Sequence, residues 1–244
     1  MRFRAFLLAL VLTLAGCSSS GGGTAATSGS SSARSATALA ATLKKATVGL
    51  TSAHIALDAG PLGGAATGDV RFADGHTTAS DVTVDLAGKT RIVTVGDTSW
   101  AMLPSGRNTS GKPWVLVSSS TSNEFARALV SQVGVIKAAV SVPEIADVVA
   151  HASSVRDLGT SAQGHHYALL LAMNRIKDTA LGGELATLGT DPLPVDVYLD
   201  PQGRPVKIDL AAKVGGQSLP IAVTVSNFGA PVHISAPPAD QVAS

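Results

Sequence analysis

Gly106, Gly111 and Lys112 stand at the spacing of a phosphate-binding loop, Gly-x-x-x-x-Gly-Lys, in which backbone N–H groups cradle phosphates and the lysine reaches them. The next position should carry a hydroxyl for magnesium, and it is Pro113. Such a loop must also open a helix, whose dipole faces the anion. Trp114 to Val117 reads instead as a strand, so the segment is expected to be a strand-connecting loop. The six histidines show no His-Glu-x-x-His spacing. His165 and His166 are adjacent, and in a strand they point to opposite faces, so they cannot chelate one ion together. Gly159-Thr160-Ser161-Ala162-Gln163 lacks the second glycine of a nucleophile elbow and falls where a hairpin turn is expected. No catalytic constellation, metal site or cofactor site emerges, and the chain reads as non-enzymatic.

Cys17 is the one residue whose chemistry its surroundings specify. Met1-Arg2-Phe3-Arg4 is a short charged start, and residues 5–14 are apolar except for Thr13. That run is too short to span a bilayer, which takes roughly 20 residues. With small residues before a cut site it forms a secretory signal over residues 1–16. Leu14-Ala15-Gly16-Cys17 has the lipobox form, in which the cysteine thiol takes a diacylglyceryl group before cleavage. Cys17 is the only cysteine, so the thiol has no disulfide partner within the chain. Two or more acyl chains anchor stably where one binds only marginally. The expected location is the outer face of the cell membrane, with the bilayer as partner.

Ser, Gly, Thr and Ala dominate from Ser18 to Arg34, a composition that cannot bury enough surface to fold. Residues 17–34 are therefore expected to be a flexible tether, with a reach of roughly 20–25 Å. Residues 35–244 are long enough for one domain with a substantial core. The formal net charge is +1, and two of the positive charges, Arg2 and Arg4, lie in the signal segment. A nearly neutral chain without a basic cluster has no footprint for nucleic acid. Aromatics make up 4%, so the core must be aliphatic.

Leu39, Leu43, Ala46 and Leu50 recur at three- and four-residue spacings and predict a helix over 36–50. A period of two follows through Ile55, Val70, Val82, Ile92 and Thr98 to Val117, the pattern of half-buried antiparallel strands in a meander. Thr121 to Glu124 has the form of a capping box, and Phe125, Leu129, Val133, Ile136 and Val140 follow at helical spacing. Ser141-Val142-Pro143-Glu144 repeats that form before a second, shorter helix ending near His151. Strands resume at 153–158 and 165–173, and a helical or irregular stretch covers 175–188. The last strands alternate most clearly: Val195, Val197 and Leu199, then Val206, Ile208 and Leu210, then Ile221, Val223 and Val225. Asp200-Pro201-Gln202-Gly203 supplies a turn between the first two, with Pro presetting φ and Gly taking positive φ. The sheet has one apolar face, and the helices must cover it.

The order of lipobox, polar tether, helix, meander, helices and hairpin strands resembles the actinobacterial LppX/LprAFG (LprG-like) lipoproteins. The resemblance is carried by Ser52 to Leu57, Ala66 to Val70, Pro194 to Asp200 with Gly203 to Val206, and Ser226 to Gly229 with Pro231, Val232, Pro237 and Pro238. It implies an α+β fold in which a curved antiparallel sheet, a half-barrel, partly wraps around helices as in the LolA/LolB carriers. It also implies that acyl chains of a lipid or lipoglycan lie between sheet and helices, and that a membrane transporter is a further partner in moving them across the envelope. Phe125, Leu129, Val133 and Ile136 would form a narrow stripe against a broad face of Val195, Val197, Leu199, Val206, Ile208, Leu210, Ile221, Val223 and Val225. These are the candidate lipid-binding residues. The alternative is the same fold with a filled core, serving as a sensor, scaffold or partner-binding module.

The lipobox makes a direct prediction. Replacing Cys17 with Ala should move the protein out of the membrane fraction or leave it uncleaved, as read by fractionation and mass. Processing and membrane attachment equal to the wild type would refute the anchor.

Overall fold

The computed structural model describes residues 28–60, 64–85, 88–104, 111–139, 141–186, 191–214 and 217–243. The signal segment 1–16, Cys17 and the first ten residues of the tether after it lie outside the described residues, as does most of the loop before Gly111. Helix α1 (Ser28–Thr47) leads into six strands: β1 (Ser52–Asp58), β2 (Ala65–Ala73), β3 (His76–Asp85), β4 (Lys89–Val95), β5 (Thr98–Met102) and β6 (Trp114–Leu116). Helices α2 (Glu124–Ala139) and α3 (Val142–Ala150) follow. Strands β7 (Ser154–Ser161) and β8 (Gly164–Leu171) come next, and short helices α4 (Met173–Ile176) and α5 (Ala180–Ala186) separate them from β9 (Leu193–Leu199), β10 (Pro205–Val214) and β11 (Gln217–Ser226). A single 3-10 turn (Ala239–Gln241) and β12 (Val242–Ala243) end the chain.

All 12 strands belong to one open sheet in the order β12-β6-β5-β4-β3-β2-β1-β11-β10-β9-β8-β7. It consists of two meanders whose first and last strands, β1 and β11, pair antiparallel in the middle. The expected antiparallel sheet holds from β1 to β11. At the far edge Val242 and Ala243 run parallel to Trp114 and Val115, so the complete sheet is mixed. The strand that follows Lys112 also removes the phosphate-loop reading, because no helix starts there.

α1 begins earlier than its sequence pattern suggests, so residues 28–34, expected in the tether, are helical. Its buried stripe is Ala36, Leu39, Ala40 and Leu43, the spacing of one helix face. Gly49, at φ 82°, turns the chain out of the helix towards β1. α2 is capped by Asn123, whose Oδ1 accepts from Ala126 N at 3.0 Å. Thr121, the residue the sequence pattern favoured as cap, lies two residues too early.

The helices divide the concave face between them. α1, α3, α4 and strands β8 and β9 share one buried core, with Leu43, Val149, Ile176, Leu193 and Val197 at its centre. α2 packs Ala126, Leu129 and Val133 on the first meander, against residues such as Val70, Val82 and Ile92. This corrects the expectation that the last three strands face Phe125 and Leu129: of those strands, only Val225 is packed against the core of α2. The cause is chain economy, since α2 follows β6 closely and folds back over the strands it has just left.

The convex face is not polar throughout. Ala79, Val93 and Trp114 form a third apolar cluster there, covered by Val232, Ile234 and Val242 of the C-terminal segment. Elsewhere it carries ion pairs such as Asp81–Arg91 at 2.5 Å and Lys207–Asp209 at 2.6 Å. Pairs this open to water are worth roughly 0–1 kcal/mol each, so packing rather than charge holds the sheet.

Gly68 lies in β2 opposite Val82, and a Cβ there would come within 2.1 Å of the Asp81 carbonyl oxygen. Strands that approach this closely need glycine at the contact. Gly68→Ala should therefore destabilise the domain by about 1–3 kcal/mol, because backbone and not a movable side chain must yield. Chemical denaturation reads the change, and an unaltered midpoint would show that β2 and β3 do not depend on this approach.

Candidate functional site

Strand register brings the apolar residues of the middle strands into continuous rows across the concave face. One row runs from Leu57 through Val223 and Ile208 to Val197, and the next runs from Ile221 through Leu210 to Val195. Val225 stands opposite Ile55. The broad face expected from the alternation therefore exists, with one exception. Val206 falls in a bulge where the register shifts between Pro205 and Lys207, and Pro205 takes the place opposite Leu199.

Burial along these rows is uneven. Val195, Val197 and Leu199 are buried under α1 and α3, and Leu129 and Val133 are buried on the other half of the sheet. Phe125 is half-buried at the edge of that second core, and the side chain of Ile136 lies outside the described residues. Between the two cores, Ile208, Leu210, Ile221, Val223 and Val225 are only half-buried. The α2 stripe and the last strands thus border the same seam from different sides and do not form one contact.

An enclosed apolar cavity of about 20 Å³ lies along this seam. Of the residues expected from sequence, Ile208, Val223 and Val225 line it. Ile55 and Phe72 close it from the first meander, and Thr47, Leu50 and Ile145 close it from α1 and α3. Pro205 and Phe228 complete the wall, and the Arg204 guanidinium lies over the Phe228 ring at 4.4 Å. Sequence periodicity could not find Pro205, Phe228 or Thr47, because none belongs to an alternating run. A space of this size holds about one water-sized sphere. An acyl chain would need the helix layer to move.

The polar residues singled out by their chemistry stand apart from the seam. His165 Nε2 meets Asp157 Oδ1 at 2.7 Å, and His166 Nε2 meets Asp196 Oδ1 at 2.7 Å, each imidazole with its own carboxylate. The Gly159 amide and His165 hold the Asp157 carboxyl below the usual carboxylate range. His166 stacks on Tyr198 at 4.4 Å, whose phenol is pushed up by burial and by Asp196 and Asp209. Ser161 donates to the Gly164 carbonyl at 2.8 Å inside the β7–β8 hairpin, so its proton is turned to the backbone. No group of three metal-ligating side chains forms among the described residues.

No family model matches the sequence, and no curated protein matches it. Solved structures do. LprF from Mycobacterium bovis superposes with a TM-score of 0.55 at 16% identity, covering 84% of this chain and 98% of that one. The Mycobacterium tuberculosis lipoprotein LppX gives a TM-score of 0.52 at 19% identity, covering 83% and 99%. The chain therefore has the fold of LprF and LppX, the open LolA-like sheet around helices that its sequence resemblance implies.

Proposed function

We propose that the protein is a cell-envelope lipoprotein, held to the outer face of the membrane through Cys17, that takes acyl chains of a lipid or glycolipid between its sheet and its helices. The observation that carries this reading is the seam: a registered apolar strip, only half-buried, between two cores, with Ile208 and Leu210 packed at the margin of one and Val225 at the margin of the other. Because α1 and α3 belong to one core and α2 to the other, the helix layer can part along the seam while both cores stay packed. Burial of a dozen methylenes at about 0.8 kcal/mol each is worth on the order of 10 kcal/mol, enough to offset a local opening. No polar catalytic group is required. Delivery of the bound lipid to or from a membrane transporter is the role that fits an anchored carrier on a tether.

One observation favours the filled-core alternative. The seam holds only about 20 Å³, so without a ligand the domain is already closed, as a scaffold or partner-binding module would be. Protein purified from its own host should decide between the two. The carrier reading expects lipid by native mass spectrometry and uptake of a fluorescent fatty acid. Val223→Trp, which fills the seam from β11, should cut that uptake several-fold with the circular dichroism unchanged. A wild-type protein that carries no lipid and takes up no fatty acid would establish the filled-core reading instead.

A further inference from the structure

The turn from α1 into β1 starts in the wall of the seam cavity, leaves it and returns. Thr47, the last residue of α1, is buried and lines the cavity, and Leu50 lines it again just before β1. Between them Val48 and Gly49 stand in solvent. Val48, 80% exposed, is the most exposed large apolar side chain among the described residues. A hydrogen bond from Leu50 N to Thr47 O at 3.2 Å holds the turn. A Cβ added to Gly49 would meet nothing within 4 Å, so open space surrounds it.

Outside the same turn lies an open hollow of about 450 Å³, lined by Lys44, Thr47, Val48 and Gly49 on one side and by Asp74 and Gly75 of the β2–β3 turn on the other. Thr47 therefore divides an enclosed apolar space from open solvent. Lys44 and Lys45, one turn earlier, are exposed and have no ion-pair partner among the described residues. Basic residues in a last turn also offset the helix dipole, but that does not account for an exposed apolar side chain beside them. Asp74 is the one opposing charge in the lining, and it leaves the tip with a net positive charge.

We propose that this tip docks on an anionic bilayer surface and that acyl chains pass between bilayer and seam beside it. The proposal rests on the anchor and the acyl-binding reading above, and names where the exchange takes place. Val48 enters the boundary between head groups and acyl chains, and Lys44 and Lys45 meet lipid phosphates. The chain outside the described residues is long enough for this. Only residues 18–27 separate Cys17 from Ser28, and fully extended they reach roughly 35–40 Å, whereas α1 puts the tip about 30 Å from Ser28. Anchor and tip can therefore touch one surface together, with α1 inclined to it. A lone valine beside two lysines holds weakly, but the anchor keeps the surface at high local concentration. A protein partner calls for ~800 Å² of matched surface on each side. One apolar knob with two cations matches phosphates over hydrocarbon instead.

The test places the full lipidated chain in phosphatidylglycerol vesicles, with a nitrobenzoxadiazole label on Val48→Cys. Acylation consumes the Cys17 thiol, so the introduced cysteine is the only free one. Ser218→Cys, exposed at the start of β11 and at the opposite end of the sheet, is the control. Doxyl-labelled lipid should quench the label at position 48 about threefold more than the label at position 218. Lys44→Glu combined with Lys45→Glu should remove most of that difference, as should vesicles of phosphatidylcholine alone. Equal quenching at the two positions would overturn the dock. Transfer gives a second reading: Val48→Asp should slow uptake of a fluorescent fatty acid from phosphatidylglycerol vesicles several-fold while uptake from solution is unchanged. Transfer at the wild-type rate would overturn the exchange route. A wild type that takes up no probe even from solution removes the acyl-binding reading, and the quenching still decides the dock.

Discussion

The pairing of β1 with β11 is the contact on which the rest of this structure depends. Each meander forms from neighbouring strands joined by short connections, but β1 and β11 come from opposite ends of the domain. Left unpaired, each would present a row of free backbone groups at an apolar edge, a template for aggregation. Paired, they make one sheet too broad for any one helix to cover. Each half then takes its own helices, α1 and α3 on one side and α2 on the other, and the cover is thinnest at the joint. The half-buried strip follows from topology before any question of ligand arises.

The C-terminal segment solves a second edge problem. β12 closes the open side of β6, and the chain leading to it lays Val232 and Ile234 over Trp114 and Val93 on the convex face. Lys112 Nζ also donates to the Val242 carbonyl at 3.0 Å. Such a cover is needed because β4 and β5 carry large apolar residues on both faces: Ile92 and Ala101 turn inward, Val93 and Trp100 outward. Charge and apolar cover therefore share the convex face of β3 and β4, where Asp81 and Arg91 lie beside Ala79 and Val93.

Local pattern made most elements legible, because a period of two or of three and four is a property of neighbours. The strands from Leu193 to Ser226 are the clearest example, and the turn at Gly203, with φ 79°, behaves as its sequence indicates. What each helix covers is not local. Nothing near Phe125 says that it meets the first meander and not the last strands; the β1–β11 joint decides that. The caps were misread for a related reason. Thr121 and Asn123 are both good cap residues two positions apart, and the choice between them depends on where the chain leaves β6 and its turn. His76, Asp97 and Glu144 likewise come to line one hollow only in the fold, which brings two turns and a helix start together.

Sequences that specify one fold tend to agree across levels, and places where local rules are broken without local reason concentrate at functional positions. Three such breaks surround the seam. The β10 ladder loses register at Pro205, where a bulge replaces the alternation that holds from Lys207 to Val214. Asn227, a non-glycine residue at φ 51°, adopts a left-handed conformation that carries Phe228 into the cavity wall. The start of α3 leaves Ser141 and Glu144 without the bonds their spacing was suited to make. A domain selected only for a filled core would gain stability by repairing any of these, with an unbulged strand, a glycine in the turn or a completed cap. The first two lie in the wall of the seam cavity and the third is next to Ile145, which lines it, so these departures from local rules gather where the two cores meet.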